Sequence, residues 1–268
     1  MNFLPKIKKY GMVGFFIKAF FWINKSIYFN LSKIYPSKYS LSLYGVFIKK
    51  NFSDNTFKYY LIAQYGRFFS KFIKKQTNAS IFIDIGSNQG LYSLIALKNK
   101  NFNKIFSFEP QRNIYKILCQ NIKRNLGDKR CMPFNLGISN LNSKAFLQSD
   151  NRHSGKAKII AENLQNSEII ETVSGKNLSK ILNINNNEKV GIKIDTEGHE
   201  LKVLKGLIDT NFWKNTIWVF IEFNKNVDHD EIFQLLTIEG FITIKKISTN
   251  NPNHYDLLMG RDEALMDN

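Results

Sequence analysis

Apolar positions along the chain follow two patterns that take turns. Short, nearly unbroken runs at Ile81 to Ile85, Lys104 to Glu109, Val190 to Asp195 and Ile217 to Glu222 read as strands buried on both faces of a parallel sheet. Other apolar residues recur at spacings of three and four: Leu91, Leu94, Ile95 and Leu97; Ile114, Ile117, Leu118 and Ile122; Leu201, Val203, Leu204 and Leu207. That spacing lays one apolar stripe along a helix. Strand and helix therefore alternate, and two such units in succession predict an α/β fold with right-handed crossovers. Cys131 to Ile138 predicts a further strand.

The flanking regions are patterned more weakly. Residues 40–50 predict a strand, Asn51 to Asn55 a turn, and Phe57 to Ile73 a helix with Tyr60, Leu61, Gln64, Phe68, Phe69 and Phe72 along it; no chemistry attaches to this segment. Residues 139–176 read as an insertion of polar loops, with short strands at Ala145 to Gln148 and Glu168 to Val173. Insertions between sheet elements are places for substrate contacts, which makes Arg152 and His153 the candidates here, against solvated loop charge as the alternative.

At the start, Gly11 to Ile23 is an apolar run of 13 residues interrupted by Lys18. It is too short for a membrane span, which takes about 20 residues. No small-residue cleavage site follows, so it is not read as a signal peptide. On a helix, Phe15, Phe16, Ala19, Phe20 and Ile23 share one face, and Gly11, Lys18 and Lys25 share another. Such a segment can lie in a membrane interface or pack on its own domain.

Composition sharpens this division. With 268 residues and 43% hydrophobic composition, the chain can bury the core of one large domain with an appendage. The expected organisation is a basic arm over 1–35, a strand and helix over 36–80, the main domain over 81–262 and a tail over 263–268. Cys119 and Cys131 are the only cysteines and lack the spacing of a zinc or disulfide framework, which fits a reducing, cytoplasmic compartment. Of the net charge of +16, residues 1–80 hold 14 Lys and Arg against the single acid Asp54, a surplus of 13. High lysine content alone does not remove acids, so this end of the chain is expected to face an anionic partner, with peripheral contact to an anionic membrane through residues 1–35.

The candidate chemistry gathers at the strand ends. Gly86-Ser87-Asn88-Gln89-Gly90 joins the first buried strand to its helix, a turn that brings backbone close to a ligand and aims free N–H groups at it. It departs from the dinucleotide fingerprint G-x-G-x-x-G, because Asn88 stands where the second glycine belongs. Glu109 ends the next strand 23 residues after Gly86, near the spacing at which an acid reaches ribose hydroxyls. Asp84, Glu109, Asp195 and Glu222 all fall at the carboxyl ends of predicted strands, where open α/β sheets bind ligands.

These residues resemble the FkbM-type S-adenosylmethionine-dependent methyltransferases. The matching positions are Asp84 to Gly90, Phe108-Glu109-Pro110, Asn121 with Asn125, Lys193-Ile-Asp-Thr-Glu-Gly-His-Glu200 with Val203, Leu204 and Gly206, and Glu222, in the same order from Ile81 to Glu222. The resemblance does not extend to the first 80 residues. It implies a class I, Rossmann-like, doubly wound and mostly parallel seven-stranded sheet, S-adenosyl-L-methionine as cofactor, and methyl transfer to oxygen, often on a sugar of a glycan or glycoconjugate. It further implies that Asp84, Gly86, Ser87, Asn88 and Gly90 surround the methionine part, that Glu109 holds the ribose, and that Asn135 to Gly137 lie near the adenine. Asp195 would stand close to the sulfonium, with Glu197, His199 and Glu222 around the acceptor. Ser87 replaces an alanine common in the family.

A sulfonium is already a good leaving group, so the reaction needs positioning and removal of a hydroxyl proton. His199 has a suitable ordinary pKa, but it occupies the variable position of E-G-x-E, and Asp195 or Glu222 is the preferred base. Three other readings bear on this. Nucleic-acid methylation would suit the basic arm, yet no [DNS]-P-P-[YF] segment follows Val190 to Asp195 and no Pro-Cys nucleophile occurs there, so nucleic acid is not the expected partner. A magnesium-dependent mechanism would draw on Asp195, Glu222 and Asn224; no metal is expected. An inactive, membrane-associated binding module would have lost its cofactor residues, whereas the glycine turn and Glu109 are intact.

Overall fold

Strands covered on both faces need no alternation of polar and apolar residues, and the unbroken Val, Ile and Phe runs pair side by side. The protein is described by a computed structural model over residues 23–125, 129–150, 152–165, 167–224, 227–248, 251 and 253–261. In chain order the elements are α1 (residues 23–34), β1 (Tyr39–Leu41), β2 (Phe47–Lys49), α2 (Asn55–Leu61), α3 (Arg67–Lys75), β3 (Ile81–Ile85), α4 (Leu91–Leu97), β4 (Lys104–Phe108), α5 (Arg112–Arg124) and β5 (Cys131–Phe134). There follow β6 (Gly137–Ile138), β7 (Ser143–Gln148), β8 (Lys158–Ile160), β9 (Ser167–Val173), α6 (Gly175–Leu182), β10 (Val190–Ile194), α7 (Glu200–Ile208), β11 (Thr216–Asn224), α8 (His229–Ile238), β12 (Ile242–Ser248) and β13 (His254–Gly260).

The central sheet has seven strands in the order β12-β13-β11-β10-β3-β4-β5. Strands β11, β10, β3, β4 and β5 run parallel, and β13 lies antiparallel between β11 and β12. From β3 the chain winds one way to β4 and β5, then returns to wind the other way through β10 and β11. The reversal opens a crevice outside the carboxyl ends of β3 and β10.

Each face of the sheet carries its own core. Phe82, Phe69 of α3, Leu94 of α4 and Leu118 of α5 fill one; Ile83, Leu178 of α6, Leu204 of α7 and Leu236 of α8 fill the other. Phe69 stacks on Phe220 at 3.8 Å between ring centres. Gly191 is required beside this cluster, because a Cβ there would overlap the Trp218 ring.

Three expected elements are divided. The strand expected over 40–50 is the hairpin pair β1 and β2. The helix expected from Phe57 to Ile73 breaks between α2 and α3, where Ala63 and Gly66 take positive φ of 46° and 72°. The strand expected from Cys131 to Ile138 breaks after Phe134: β5 stays in the central sheet, while β6 joins a four-stranded sheet of order β6-β9-β7-β8. That second sheet is built largely from the insertion. The readings for residues 1–22 and for the tail lie outside the described residues. Among the described residues, no helix is long and apolar enough to cross a membrane.

Candidate active site

The glycine turn is fixed from two sides. At Gly86, φ is 70° and a Cβ would overlap the carbonyl oxygen of Asp195, so the ends of β3 and β10 meet backbone to backbone. Ser87 donates to the Phe108 carbonyl from both its N–H (2.9 Å) and its hydroxyl (3.2 Å). Asn88, at a φ of 50°, donates its N–H to Glu109 Oε2 at 2.8 Å, and Gln111 donates to Oε1 at 2.8 Å. Burial pushes the Glu109 pKa up to about 7, against the pull of these two bonds. Turn and acid thus form one unit.

They line a cleft of about 280 Å³ together with Phe108, Pro110, Leu136, Gly137 and Ile138. Four expected cofactor residues stand behind this surface instead. Strand alternation turns Asp84 toward α4, where it is fully buried and accepts from the Ser93 N–H (3.1 Å) and hydroxyl (2.6 Å). Ser87 and Gly90 belong to the turn but do not line the cleft, Gly90 at a φ of 89° just before α4. Asn135 spends its amide on the Glu109 and Pro110 carbonyls, at 2.9 and 2.8 Å. These residues position the wall; Gly86, Asn88, Glu109 and Gly137 form it.

Lys193 ties the two halves together and had no role in the sequence reading. It faces Asp84 in register across β3 and β10, with Nζ 3.3 Å from Asp84 Oδ1, 3.4 Å from Asp195 Oδ2 and 2.8 Å from the Gly86 carbonyl oxygen. Burial alone would lower its pKa, but Asp195 and Asp84 outweigh that and raise it. Asn121 and Asn125 act as backbone mimics. Asn121 donates to the Gln89 carbonyl and accepts from Lys49 N–H, and Asn125 pairs with both backbone groups of Phe47.

At the other end of the cleft, acids converge. Carboxylate oxygens of Asp195, Glu197 and Glu222 come within 4.8 Å of one another, a spacing that one divalent cation could also bridge. Glu222 Oε1 is 2.6 Å from His254 Nε2 of β13, a residue absent from the sequence reading because no strand was expected there. Burial, then Asp195, raises the Glu222 pKa, with His254 opposing; the bond to Glu222 raises His254. Glu197 sits at the cleft mouth with a φ of 55°. Although Glu197 is exposed, desolvation beside the cleft, followed by Glu222 and Asp195, raises its pKa as well. Glu200 holds the loop by accepting from Thr196 N–H at 2.8 Å and Gly198 N–H at 3.0 Å. His199 lines the cleft, 3.1 Å from the Ser139 hydroxyl, with its pKa lowered to about 4 by burial and then Lys202.

The segment before β3 and the insertion supply the rest of the cleft lining. Thr56, Tyr59, Tyr60 and Tyr65 line the cleft, as do His153, Ser154 and Gly155. Arg152 is exposed and joins this wall only through its backbone, accepting from Asn55 N–H at 2.9 Å. The sequence reading attaches no chemistry to the tyrosines, because Tyr60 counts there as one position along a continuous helix that in fact breaks at Ala63 and Gly66. Burial keeps the Tyr60 and Tyr65 phenols protonated, with pKa values well above the usual one.

A doubly wound sheet with one antiparallel strand inserted, a glycine turn after the first central strand and an acid after the second define a class I, Rossmann-like methyltransferase. Residues 84–243 match the Methyltransferase FkbM domain, and the chain belongs to that family. Its cofactor is S-adenosyl-L-methionine. Hexuronic acid methyltransferase AglP of Haloferax volcanii is 32% identical over 180 residues, covering 66% of this chain and 69% of that protein. Among solved structures, M. capricolum TrmK with S-adenosyl-homocysteine overlaps 74% of this chain and 69% of its own at a TM-score of 0.45 and 12% identity. M. jannaschii TYW2 with AdoMet overlaps 84% and 88% at a TM-score of 0.44 and 12% identity.

Proposed function

We propose that this methyltransferase acts on oxygen, at a hydroxyl of a sugar in a glycan or glycoconjugate. One observation carries the reading: a single cleft is lined by Glu109, by the three neighbouring carboxyls of Asp195, Glu197 and Glu222, and by Tyr59, Tyr60 and Tyr65. Aromatic faces suit the apolar faces of sugar rings, and carboxyls suit their hydroxyls. The family relative named for hexuronic acid supports a sugar acceptor. A phosphate backbone would meet like charge at this mouth, which disfavours nucleic acid.

The residues present fit the cofactor, since the Gly86 turn leaves no room for a side chain and Glu109 offers a buried carboxyl to a ribose. Bound S-adenosylmethionine would supply an electrophilic methyl group on a sulfonium. The Gly86 and Asn88 backbone would orient its methionine part, and Glu109 its ribose hydroxyls. Asp195, anchored by Lys193, would lend negative charge beside the sulfonium. Glu222 would take the acceptor's proton, because a raised pKa brings a carboxylate closer to the basicity a general base needs near neutrality. His254 would hold Glu222 in place, and neutral His199 would bond a sugar hydroxyl.

The test is methyl transfer from labelled cofactor to a panel of oligosaccharides, some with uronic acids and some neutral, alongside RNA. Labelled sugar with alkali-stable ether linkage is expected. Labelled RNA, or cofactor binding with no transfer to any glycan, would overturn the proposal. A chelator in the same assay is expected to leave turnover unchanged.

A further inference from the structure

Helix α1 is apolar on two opposite sides. Tyr28 and Phe29 pack against the core, and Ser32 is buried with its hydroxyl 3.3 Å from that of Ser40. Away from that face, Ile23, Ile27, Leu31 and Ile34 are 50%, 51%, 59% and 79% exposed. At 100° per residue they fall within about 80° of arc, so they form one continuous stripe rather than scattered apolar residues. Tyr28 bonds the Leu41 carbonyl, which brings the exposed Leu41 beside the same helix.

The charge around the stripe selects what it meets. Residues 23–80 contain ten Lys and Arg and one acid, Asp54, which is buried. Lys33 lies 4.8 Å and Lys58 5.3 Å from the centre of the Phe29 ring, and Lys50 lies over Tyr35. A second copy of the chain would bring lysines against lysines. An apolar stripe on a segment this rich in lysine and this poor in acid matches the boundary between anionic headgroups and acyl chains. Toward the N-terminus the sequence keeps the same composition, with Lys6, Lys8, Lys9 and Lys18 among Phe15, Phe16 and Phe20.

We propose that α1 docks the protein on an anionic lipid surface through Ile23, Ile27, Leu31 and Ile34, with Lys33, Lys38 and Lys50 contacting the headgroups. This placement does not depend on which acceptor is methylated. Each surface lysine contributes roughly fivefold in affinity, and that part fades as salt shortens the screening length.

The experiment is co-sedimentation of the full chain with phosphatidylcholine vesicles, with and without one third phosphatidylglycerol. The native chain should pellet with the anionic vesicles and lose at least tenfold in affinity when salt is raised toward 0.5 M or when phosphatidylglycerol is left out, by the screening argument above. The variant Ile27→Gln, Leu31→Gln, Ile34→Gln keeps good helix formers on exposed positions, so its melting temperature and S-adenosylhomocysteine affinity should be unchanged while vesicle binding falls at least tenfold. Should that variant melt early, Lys33→Glu with Lys38→Glu tests the basic charge of the segment, and its binding to anionic vesicles should be lost. Equal pelleting of native and altered chains overturns the inference, as does equal pelleting with neutral vesicles. So does a native dimer, seen by sedimentation equilibrium, that the Gln variant abolishes, because the stripe would then cover a second copy.

Discussion

Lys193 and Asp84 stand opposite each other on neighbouring parallel strands, 3.3 Å apart and both out of solvent, and the same ammonium reaches Asp195 at 3.4 Å. One buried cation therefore balances a carboxylate beneath the glycine turn and another at the acid end of the cleft. Removing it by Lys193→Met leaves Asp84 buried without its ion-pair partner, which should cost about 3 to 5 kcal/mol in stability. Adding Asp84→Asn should return part of that loss. Denaturant midpoints of the three variants decide the point: an unchanged midpoint for Lys193→Met would falsify the counter-charge role.

Glu109 is the residue where acidity and cofactor binding should be linked. Its pKa near 7 exceeds the ordinary carboxyl value, so between about 4.5 and 7 the folded chain holds a proton that the unfolded chain lacks. The stability it contributes is complete below the ordinary value and is lost as pH rises through 7. Ribose hydroxyls donate to the ionised form, so binding near pH 6.5 should release a proton and affinity should rise toward pH 8. Calorimetry in buffers of different ionisation enthalpy measures that proton. Glu109→Ala should weaken S-adenosylhomocysteine by tenfold or more, since a charge-assisted bond contributes about 1.5 to 3 kcal/mol.

Much of this was legible in advance, for a physical reason. Central parallel strands must be apolar on both faces, so β3, β4, β10 and β11 announce themselves, and Glu109, Asp195 and Glu222 stand where those runs end. The same alternation hid the role of Asp84, because a strand's last polar residue can face a flanking helix as readily as a cleft. Lys193 was the unread clue: a lysine inside an apolar strand needs a buried partner, and Asp84 supplies it. His254 and the cleft tyrosines come from outside the parallel pattern, from an antiparallel strand and from a broken helix. Their placement depends on tertiary packing that no local period encodes.

Asp195 and Glu222 should separate by kinetics. Asp195→Asn keeps the size and hydrogen-bonding capacity of the side chain but removes negative charge beside the sulfonium, so cofactor binding should persist while kcat falls by roughly 10² or more. Glu222→Gln should lower kcat across neutral pH, with activity rescued in part at high pH where hydroxyl protons leave more easily. His254→Gln should act more mildly, changing the pH profile through Glu222 while leaving the cofactor Kd in place. Native turnover by Asp195→Asn on an identified acceptor would remove it from the reacting centre.

Asp54 links the N-terminal segment, which the family pattern does not cover, to two parts of the family domain. Its Oδ1 caps α2 by accepting from Thr56 N–H at 2.9 Å and also accepts from Ser154 N–H at 3.1 Å; Oδ2 accepts from Gln89 Nε2 at 2.7 Å. The N-terminal segment, the insertion and the glycine turn thus share one buried carboxylate. Asp54→Ala removes the cap and strands two buried donors, a loss of about 2 to 4 kcal/mol, and it should loosen the turn beside Asn88 enough to weaken cofactor binding. Asp54→Asn is the informative control. Asparagine keeps an oxygen for Thr56 and Ser154, and its new NH2 can be met if Gln89 rotates its amide, whose Oε1 is buried and unpartnered. The Asn variant should therefore melt within a few degrees of the native chain while the Ala variant melts far lower. If both fall equally, the negative charge itself, rather than the hydrogen-bond pattern, joins the three segments.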